Sequence, residues 1–233
     1  MNAILQQWLL NLAIDFPVRL KFLIPLLDGD DREATALNVR SLRGISISQG
    51  VLYLVELADR GLVAFTRKGN PEILTPSTVV HLLNNPGAEQ EISFELTHDG
   101  ARAWETAASP QWHHMADGSA FLSFEEGNLY RCEWTWFSQD RLQLMGVFGW
   151  YPAVQQEQID LSTVNWEVHA EYQVKYWKRL SNVHVVTFRS RSASNSLPPW
   201  PRGVEPHWFT DWRISRDNWY RKPWDMEGWP PER

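Results

Sequence analysis

Apolar residues in the first part of the chain recur with a helical period. Residues 2–14 are predicted to form a first, amphipathic helix. The next apolar stretch, Val18 to Leu27, predicts a second short helix. The acidic turn from Asp28 to Asp31 then offers N-cap residues for a helix over Arg32 to Leu42. The stripe that makes residues 2–14 an amphipathic helix consists of Ile4, Leu5, Trp8, Leu9, Leu12 and Ala13.

The strongest helical pattern follows Ser48, which we expect to act as the N-cap. Gly61 comes after this helix and can adopt the positive φ of a helix C-terminus. Leu62 to Phe65 is then predicted to be a strand that the chain enters directly from the helix. The buried face of the helix is made by Val51, Leu54, Val55 and Ala58.

The segment after Phe65 predicts three further elements. Ser77 to Leu83 forms an extra turn of helix, and Ile92 to Leu96 alternates as a strand. Thr97 is placed to cap a last helix that runs to Ala107 and ends before Pro110.

Two stretches of residues 30–108, YLVELADRGLVAF and ISFELTHDGARAWE, resemble a winged helix-turn-helix domain of the broad MarR/PadR type. The resemblance implies that the helix after Ser48 is a recognition helix and that Leu62 begins the wing. It also implies DNA-contacting positions and a dimer formed through the N-terminal helix. The candidate DNA-contacting residues are Arg40, Arg43, Gln49, Arg67 and Lys68.

The second half of the chain changes to strand periodicity. Leu129 to Phe137 alternates, and Arg141 to Phe148 is predicted to pair with it as a hairpin across residues 138–140. Residues 165–176 alternate without interruption, and Ser181-Asn182 offers a turn into a strand over 183–188. With Pro110 to Ser119 as a linker, we expect an antiparallel sheet of four or more strands.

The C-terminal segment, Leu197 to Arg233, combines six tryptophans with seven prolines. Such a composition is incompatible with a long helix or strand. We expect this segment to wrap the second sheet and bury its rings, and the alternative is an exposed aromatic strip that binds a partner or a sugar.

These patterns predict an α+β protein of two domains. Residues 1–109 form a winged-helix-like domain, and residues 119–233 form an antiparallel α+β domain with the Trp/Pro-rich tail. The chain of 233 residues carries a net charge of −6, and residues 1–107 hold nine Lys+Arg against thirteen Asp+Glu. Because a DNA-binding protein needs a basic surface, this excess of acidic residues disfavours DNA binding.

Cellular location follows from what the sequence lacks. Its single cysteine, Cys132, excludes an internal disulfide framework, and no basic region precedes the apolar N-terminal stretch. No apolar run approaches the roughly 20 residues that span a bilayer. We therefore expect a cytoplasmic protein with no membrane partner.

Candidate chemistry is sparse. The common nucleotide-binding, hydrolase and metalloprotease motifs are absent from the sequence. His113 and His114, with Asp117 nearby, are the best metal candidates, but their spacing favours polar linker residues. Cys132 is expected to be a buried strand thiol. No catalytic, cofactor-binding or metal-binding residue is therefore assigned.

One polar face remains as a possible site. Glu167, His169 and Glu171 alternate along the predicted strand 165–176, so a histidine lies between two carboxylates. The same spacing is typical of the solvent face of a half-buried sheet. The sequence thus predicts first a non-catalytic module that binds another protein or itself. A winged-helix transcriptional regulator with a sensing C-terminal domain is second, and an enzyme of unrecognised type is third.

Overall fold

The computed structural model describes residues 3–29, 42, 45–83, 92–124, 130–154, 157–192 and 219–225. The described residues form six helices and two antiparallel sheets, so the predicted α+β class is confirmed. The chain divides into two compact units. The first comprises Met1–Pro110, Lys175–Lys178 and Tyr220–Arg233, and the second comprises Gln111–Val174 and Arg179–Trp219.

The described residues of the first unit form five helices and a four-stranded sheet. Its helices are α1 (Ala3–Leu12), α2 (Leu23–Asp28), α3 (Ile47–Asp59), α4 (Pro76–Leu83) and α5 (His98–Ala108). Its strands are β1 (Val18–Arg19), β2 (Val63–Arg67), β3 (Asn70–Glu72) and β4 (Ile92–Leu96). The strand order is β1-β4-β2-β3, with β4 paired to both β1 and β2.

Helix α3 begins earlier than the sequence predicts, because Ser46 rather than Ser48 is its N-cap. The Ser46 hydroxyl accepts the Gln49 backbone N–H at 3.2 Å, and the Gln49 side-chain oxygen accepts the Ser46 N–H at 3.1 Å. This reciprocal capping box satisfies two N–H groups, whereas a serine cap alone would satisfy only that of Gln49.

The step from β4 into α5 depends on Thr97 and Gly100. Thr97 caps the helix as predicted, accepting the Gly100 N–H at 3.0 Å, and its own N–H donates to the Leu62 carbonyl at 3.2 Å. A Cβ on Gly100 would collide with that same Leu62 carbonyl oxygen. The backbone of the first turn of α5 therefore approaches Leu62, the residue before β2, so closely that only glycine fits.

The second apolar stretch does not form the single helix predicted for Val18 to Leu27. Its first residues form β1, followed by a 3₁₀ turn over Leu20–Phe22 and then α2. Val18 pairs with Phe94 in the sheet, and both side chains are fully buried, so tertiary pairing overrides local helical periodicity. The helix predicted over Arg32 to Leu42 lies outside the described residues, except for Leu42.

The apolar stripe of α1 belongs to the core of the first unit. Leu5, Trp8 and Leu12 are each at most 3% exposed, and α1 packs against α3 and α5. The stripe to which the sequence assigns a homodimer contact therefore covers the core of its own chain, and the homodimer stays a prediction.

Where the structure describes the second unit, it contains one helix and a second four-stranded antiparallel sheet. The elements are β5 (Ala116–Phe124), β6 (Tyr130–Ser138), α6 (Arg141–Val154), β7 (Glu157–Lys175) and β8 (Lys178–Ser192). The strand order is β5-β6-β8-β7, which agrees with the predicted sheet of four or more strands. In the register of β6 against β8, Trp134 lies opposite Phe188 and Trp136 lies opposite Val186.

Helix α6 replaces the strand predicted over Arg141 to Phe148. The Asp140 carboxylate accepts the N–H groups of Leu142 at 2.8 Å and Gln143 at 3.2 Å, which starts a helix instead of a hairpin. Leu144 and Val147 then reach the core that Trp136 and the inner face of β8 form. Leucine and valine at this spacing fit either a strand or a helix, and the cap decides between them.

The linker predicted from Pro110 to Ser119 is also wrong in part. It contains a 3₁₀ turn over Trp112–His114 and the start of β5. Gly118 pairs with Trp136, and a Cβ on this glycine would come within 2.6 Å of the indole ring. The small residues of β5, which resemble a linker, are required where the strand crosses a large side chain.

The reversal between β7 and β8 occurs at Tyr176 and Trp177, and not at Ser181-Asn182 as the sequence predicts. Asn182 does adopt a positive φ of 53°, but it lies inside β8.

Most of the Trp/Pro-rich tail lies outside the described residues, including Trp200, Trp208, Trp212 and Trp229. The Trp219 ring packs on Trp112 with centroids 5.0 Å apart, and the Trp219 carbonyl accepts the Gln111 N–H at 2.6 Å. Tyr220 is buried against Trp104 at 5.2 Å. Among the helices of the described part of the chain, none is long and apolar enough to cross a membrane.

Candidate functional site

The candidate DNA-contacting residues divide between α3 and the β2–β3 turn. Arg40 and Arg43 lie outside the described residues. The Gln49 side chain is held in the α3 capping box. Lys68 lies exposed at the β2–β3 turn with a φ of 52°. The structure therefore keeps Arg67 and Lys68 as neighbours on the turn, whereas Gln49 serves the start of the helix.

Arg67 makes a bidentate ion pair with Glu72 across the β2–β3 hairpin. The guanidinium donates to the two carboxylate oxygens at 2.6 and 2.9 Å. The hydrogen bond from Arg67 holds the pKa of the Glu72 carboxyl below its usual value. A phosphate would have to compete with this carboxylate for the same guanidinium.

The outer surface of α3 is not basic. Arg60 donates to the Gln6 side-chain oxygen at 2.9 Å and lies 4.0 Å from the Glu56 carboxylate. Leu52 on the same helix is 55% exposed. This surface therefore presents an exposed leucine and an arginine that already has a carboxylate neighbour.

The predicted polar face of β7 is only partly assembled. Glu167 and His169 lie 2.8 Å apart, and the Asn165 amide donates to the Glu167 carboxylate at 2.7 Å. Glu171 instead faces Arg179 at 3.7 Å. The structure brings two of the three predicted residues together and gives the third a different partner.

The Glu167–His169 pair is open to water. The side chains are 52% and 37% exposed respectively, so the pair is screened and its electrostatic coupling is weak. A histidine beside a carboxylate can exchange a proton with solvent, but a general base requires a substrate held beside it.

The apolar side of β7 is less buried than its alternation predicts. Val174 is buried, but Val168 is 64% exposed and Trp166 is 37% exposed. Trp166 packs on Phe148 of α6 at 5.6 Å, whereas Tyr172 packs on Phe137 of β6 at 5.1 Å. Partial burial of the Tyr172 side chain raises the pKa of its hydroxyl.

Exposed apolar side chains also lie on α6 and β5. Leu142 and Met145, on the outer face of α6, are 78% and 47% exposed, and Phe121 of β5 is 70% exposed. The second unit thus presents large apolar groups to solvent on its helix and on both edge strands of its sheet.

The candidate metal ligands and the single cysteine contact neighbouring groups of the protein. The rings of His113 and His114 contact each other edge to face at 4.0 Å, and the Asp117 carboxylate accepts the Gly118 N–H at 2.8 Å. Within the described ranges, no group of three or more His, Cys, Asp or Glu side chains is arranged to hold a metal. Cys132 is a buried strand thiol that forms no disulfide, as predicted.

The sequence did not indicate the role of residues 175–178, which belong to the first unit. Lys175 pairs with Asp15 at 2.6 Å, and Lys178 pairs with Glu105. Between these lysines, the Trp177 indole donates to the Ile14 carbonyl at 2.9 Å. The local signal was two aromatic residues between two lysines at a strand end, but the partners are too distant in sequence to be inferred.

Two buried polar side chains of α1 lie in the first-unit core. Gln7 and Asn11 are each 2% exposed, and Asn11 accepts the Trp104 indole N–H at 3.3 Å. In the part of the chain that is described, the amide nitrogens of both residues have no hydrogen-bond partner. Tyr220 packs on the same Trp104, and burial raises the pKa of its hydroxyl.

Comparisons of the chain with protein-family models, curated proteins and solved structures find no match.

Proposed function

We propose that the protein is a non-catalytic binding module that recognises another protein or a second copy of itself. The observation that carries this proposal is the exposure of large apolar side chains on α6 and β7. Leu142 and Met145 lie three residues apart on the outer face of α6, opposite the core residues Leu144 and Val147. Apolar side chains grouped on one exposed helix face mark interaction surfaces more often than isolated ones do.

Affinity capture from the native host tests this function, with and without nuclease. The full chain is compared with a Leu142→Glu/Met145→Glu variant and with Ile73→Glu as the matched control. Ile73 is 99% exposed in the first unit, so its replacement changes charge without touching α6. We expect a nuclease-resistant protein partner that the double variant loses and Ile73→Glu keeps. A partner that all three proteins capture equally contradicts the role of α6.

The alternative function is a winged-helix transcriptional regulator whose second unit senses a ligand or partner. The element order of the first unit supports this hypothesis: α3 leads through Gly61 into β2, and β4 pairs with both β1 and β2. The carboxylates beside Arg60 and Arg67 argue against this hypothesis, because each already neutralises an arginine side chain that would be needed to contact DNA phosphates.

A cytoplasmic location remains part of the proposal. Its support is the single cysteine, which is buried and forms no disulfide, as in proteins that do not depend on disulfides. Localisation of a fluorescent fusion in the native host tests it.

A further inference from the structure

Strand β7 lies at the edge of the second sheet. In the order β5-β6-β8-β7, its only strand neighbour among the described residues is β8. An edge strand presents a row of backbone N–H and C=O groups that another strand can pair with. At 19 residues, β7 is the longest strand described in the chain.

Edge strands are usually protected by Lys, Pro or a short length. Between Asp160 and Lys175, β7 contains no Lys, Arg or Pro. Val168 is 64% exposed near the middle of this stretch, beside the partly exposed Trp166. The side chains of β7 therefore do not prevent a second strand from adding to this edge.

The residues around Val168 are complementary to themselves. When two copies of β7 pair antiparallel about a two-fold axis at Val168, Glu167 of each copy lies opposite His169 of the other. Trp166 of each copy then lies opposite Ala170 of the other, so a large side chain meets a small one. Opposite-charge pairs stabilise such ladders, and a carboxylate facing a neutral imidazole still accepts a hydrogen bond.

The neighbouring register is worse. An axis moved to His169 would place Glu167 directly opposite Glu171, and like charges in this position destabilise a ladder. The charge pattern therefore selects Val168 as the residue on the axis.

We propose that a second copy of this chain adds to the β7 edge, with the two strands antiparallel and the two-fold axis at Val168. This inference rests on the proposed protein-interaction function and identifies the partner as the chain itself. The interface uses β7 of the second unit, and the buried stripe of α1 has no part in it.

The opposite edge of the same sheet provides a matched control. Strand β5 contains a single charged residue, Asp117, and no histidine, so two copies of β5 cannot form the carboxylate–imidazole pairs that β7 forms. Phe121 of β5 is 70% exposed, similar to Val168.

Disulfide cross-linking tests the register. Cys132 is the chain's only cysteine and is buried, so an introduced surface cysteine reports its own contacts. Residues facing each other across the axis have Cα atoms roughly 4.5–5.5 Å apart, within the range that a disulfide spans. We expect Val168→Cys to give a disulfide-linked species of twice the 27.1 kDa chain mass under mild oxidation. We expect Phe121→Cys to stay monomeric on a non-reducing gel.

Light scattering of the native chain and of Val168→Arg gives the second measurement. The native chain should have a dimer mass, and Val168→Arg should have a monomer mass, because two arginines then meet at the axis; the variant should still unfold in one cooperative transition, at a temperature no longer dependent on protein concentration. Phe121→Arg should remain a dimer. A monomeric native chain, a dimer that survives Val168→Arg, or equal cross-linking through Phe121→Cys overturns the proposal.

The failure of this dimer and the failure of the proposed function are distinguishable. If the native chain is monomeric but still captures a partner through Leu142 and Met145, the β7 dimer is wrong and the binding function stands. If the dimer forms and no other partner is captured, the second copy is the partner.

Discussion

The Tyr176 hydroxyl donates a hydrogen bond to the Ala13 carbonyl oxygen at 2.8 Å, across 163 residues of sequence. The same hydroxyl accepts the Leu96 backbone N–H at 2.7 Å. One phenol therefore satisfies a backbone acceptor after α1 and a backbone donor at the end of β4, in the first unit.

Replacing Tyr176 with Phe should destabilise the protein. The change leaves the Ala13 carbonyl and the Leu96 N–H without the hydroxyl, and an unsatisfied buried polar group costs about 1–3 kcal/mol. Urea unfolding measures the loss. Tyr172→Phe is the control, because that ring packs on Phe137 and its hydroxyl makes neither of these backbone bonds. Equal losses in the two variants would contradict the role assigned to Tyr176.

Gly100 and Gly149 should respond to alanine in opposite directions. At Gly100 the new methyl group would collide with the Leu62 carbonyl, and overpacking of this kind costs about 1–3 kcal/mol. At Gly149, inside α6, the methyl group meets nothing within 4 Å, so the higher helix propensity of alanine should stabilise by about 0.5–1 kcal/mol. Thermal unfolding of both variants checks the sign, and a stabilised Gly100→Ala would show that the first turn of α5 can move away from Leu62.

Stability should fall at alkaline pH. Burial raises the pKa of Tyr176 and Tyr220 above the ordinary value of 10.0. Above that value the unfolded chain loses these protons while the folded chain keeps them, so the free energy of unfolding decreases as pH rises. The contribution is fully present below pH 10.0 and is lost toward the raised pKa of the folded state.

Tyr220→Phe removes one of the two groups and should flatten this alkaline decrease, whatever its effect at neutral pH. Urea unfolding at neutral and alkaline pH measures the difference. An alkaline slope that is the same in the native chain and the variant would show that Tyr220 ionises normally in the folded protein.

DNA binding should not be tighter than the non-specific micromolar range at physiological salt. The physical reason is that Arg67 is paired with Glu72 and Arg60 lies beside Glu56. An electrophoretic shift with genomic fragments of the native host measures it. A shift at nanomolar protein that Arg67→Glu abolishes would favour the transcriptional regulator over the protein-binding module.

Deleting Leu197 to Arg233 should yield insoluble protein. The deletion removes Tyr220, which is buried against Trp104, and Trp219, which packs on Trp112. Loss of a large buried ring alone costs about 3–5 kcal/mol. Expression and melting of the truncated chain measure the outcome. A soluble truncation with an unchanged transition would instead favour an exposed aromatic strip that binds a partner.

The sequence by itself determined the elements whose signals are local. Thr97 caps α5 through a bond to an N–H three residues away, and the helix over Pro76–Leu83 and the strand over Ile92–Leu96 follow their own periodicity. The contact between Glu167 and His169 of β7 could also be predicted from the sequence, because both side chains lie on the same side of one strand and meet without a contribution from another element.

Tertiary structure decided what local pattern leaves ambiguous. Residues 141–148 fit a strand as well as a helix, and although the Asp140 cap is local, it is the packing of Leu144 and Val147 in the core around Trp136 that buries one helix face. Val18 leaves its helical pattern because pairing with Phe94 buries both side chains. The place of Tyr176 beside Ala13 could not be predicted, since no periodicity relates residues so far apart and only the packed fold brings them together.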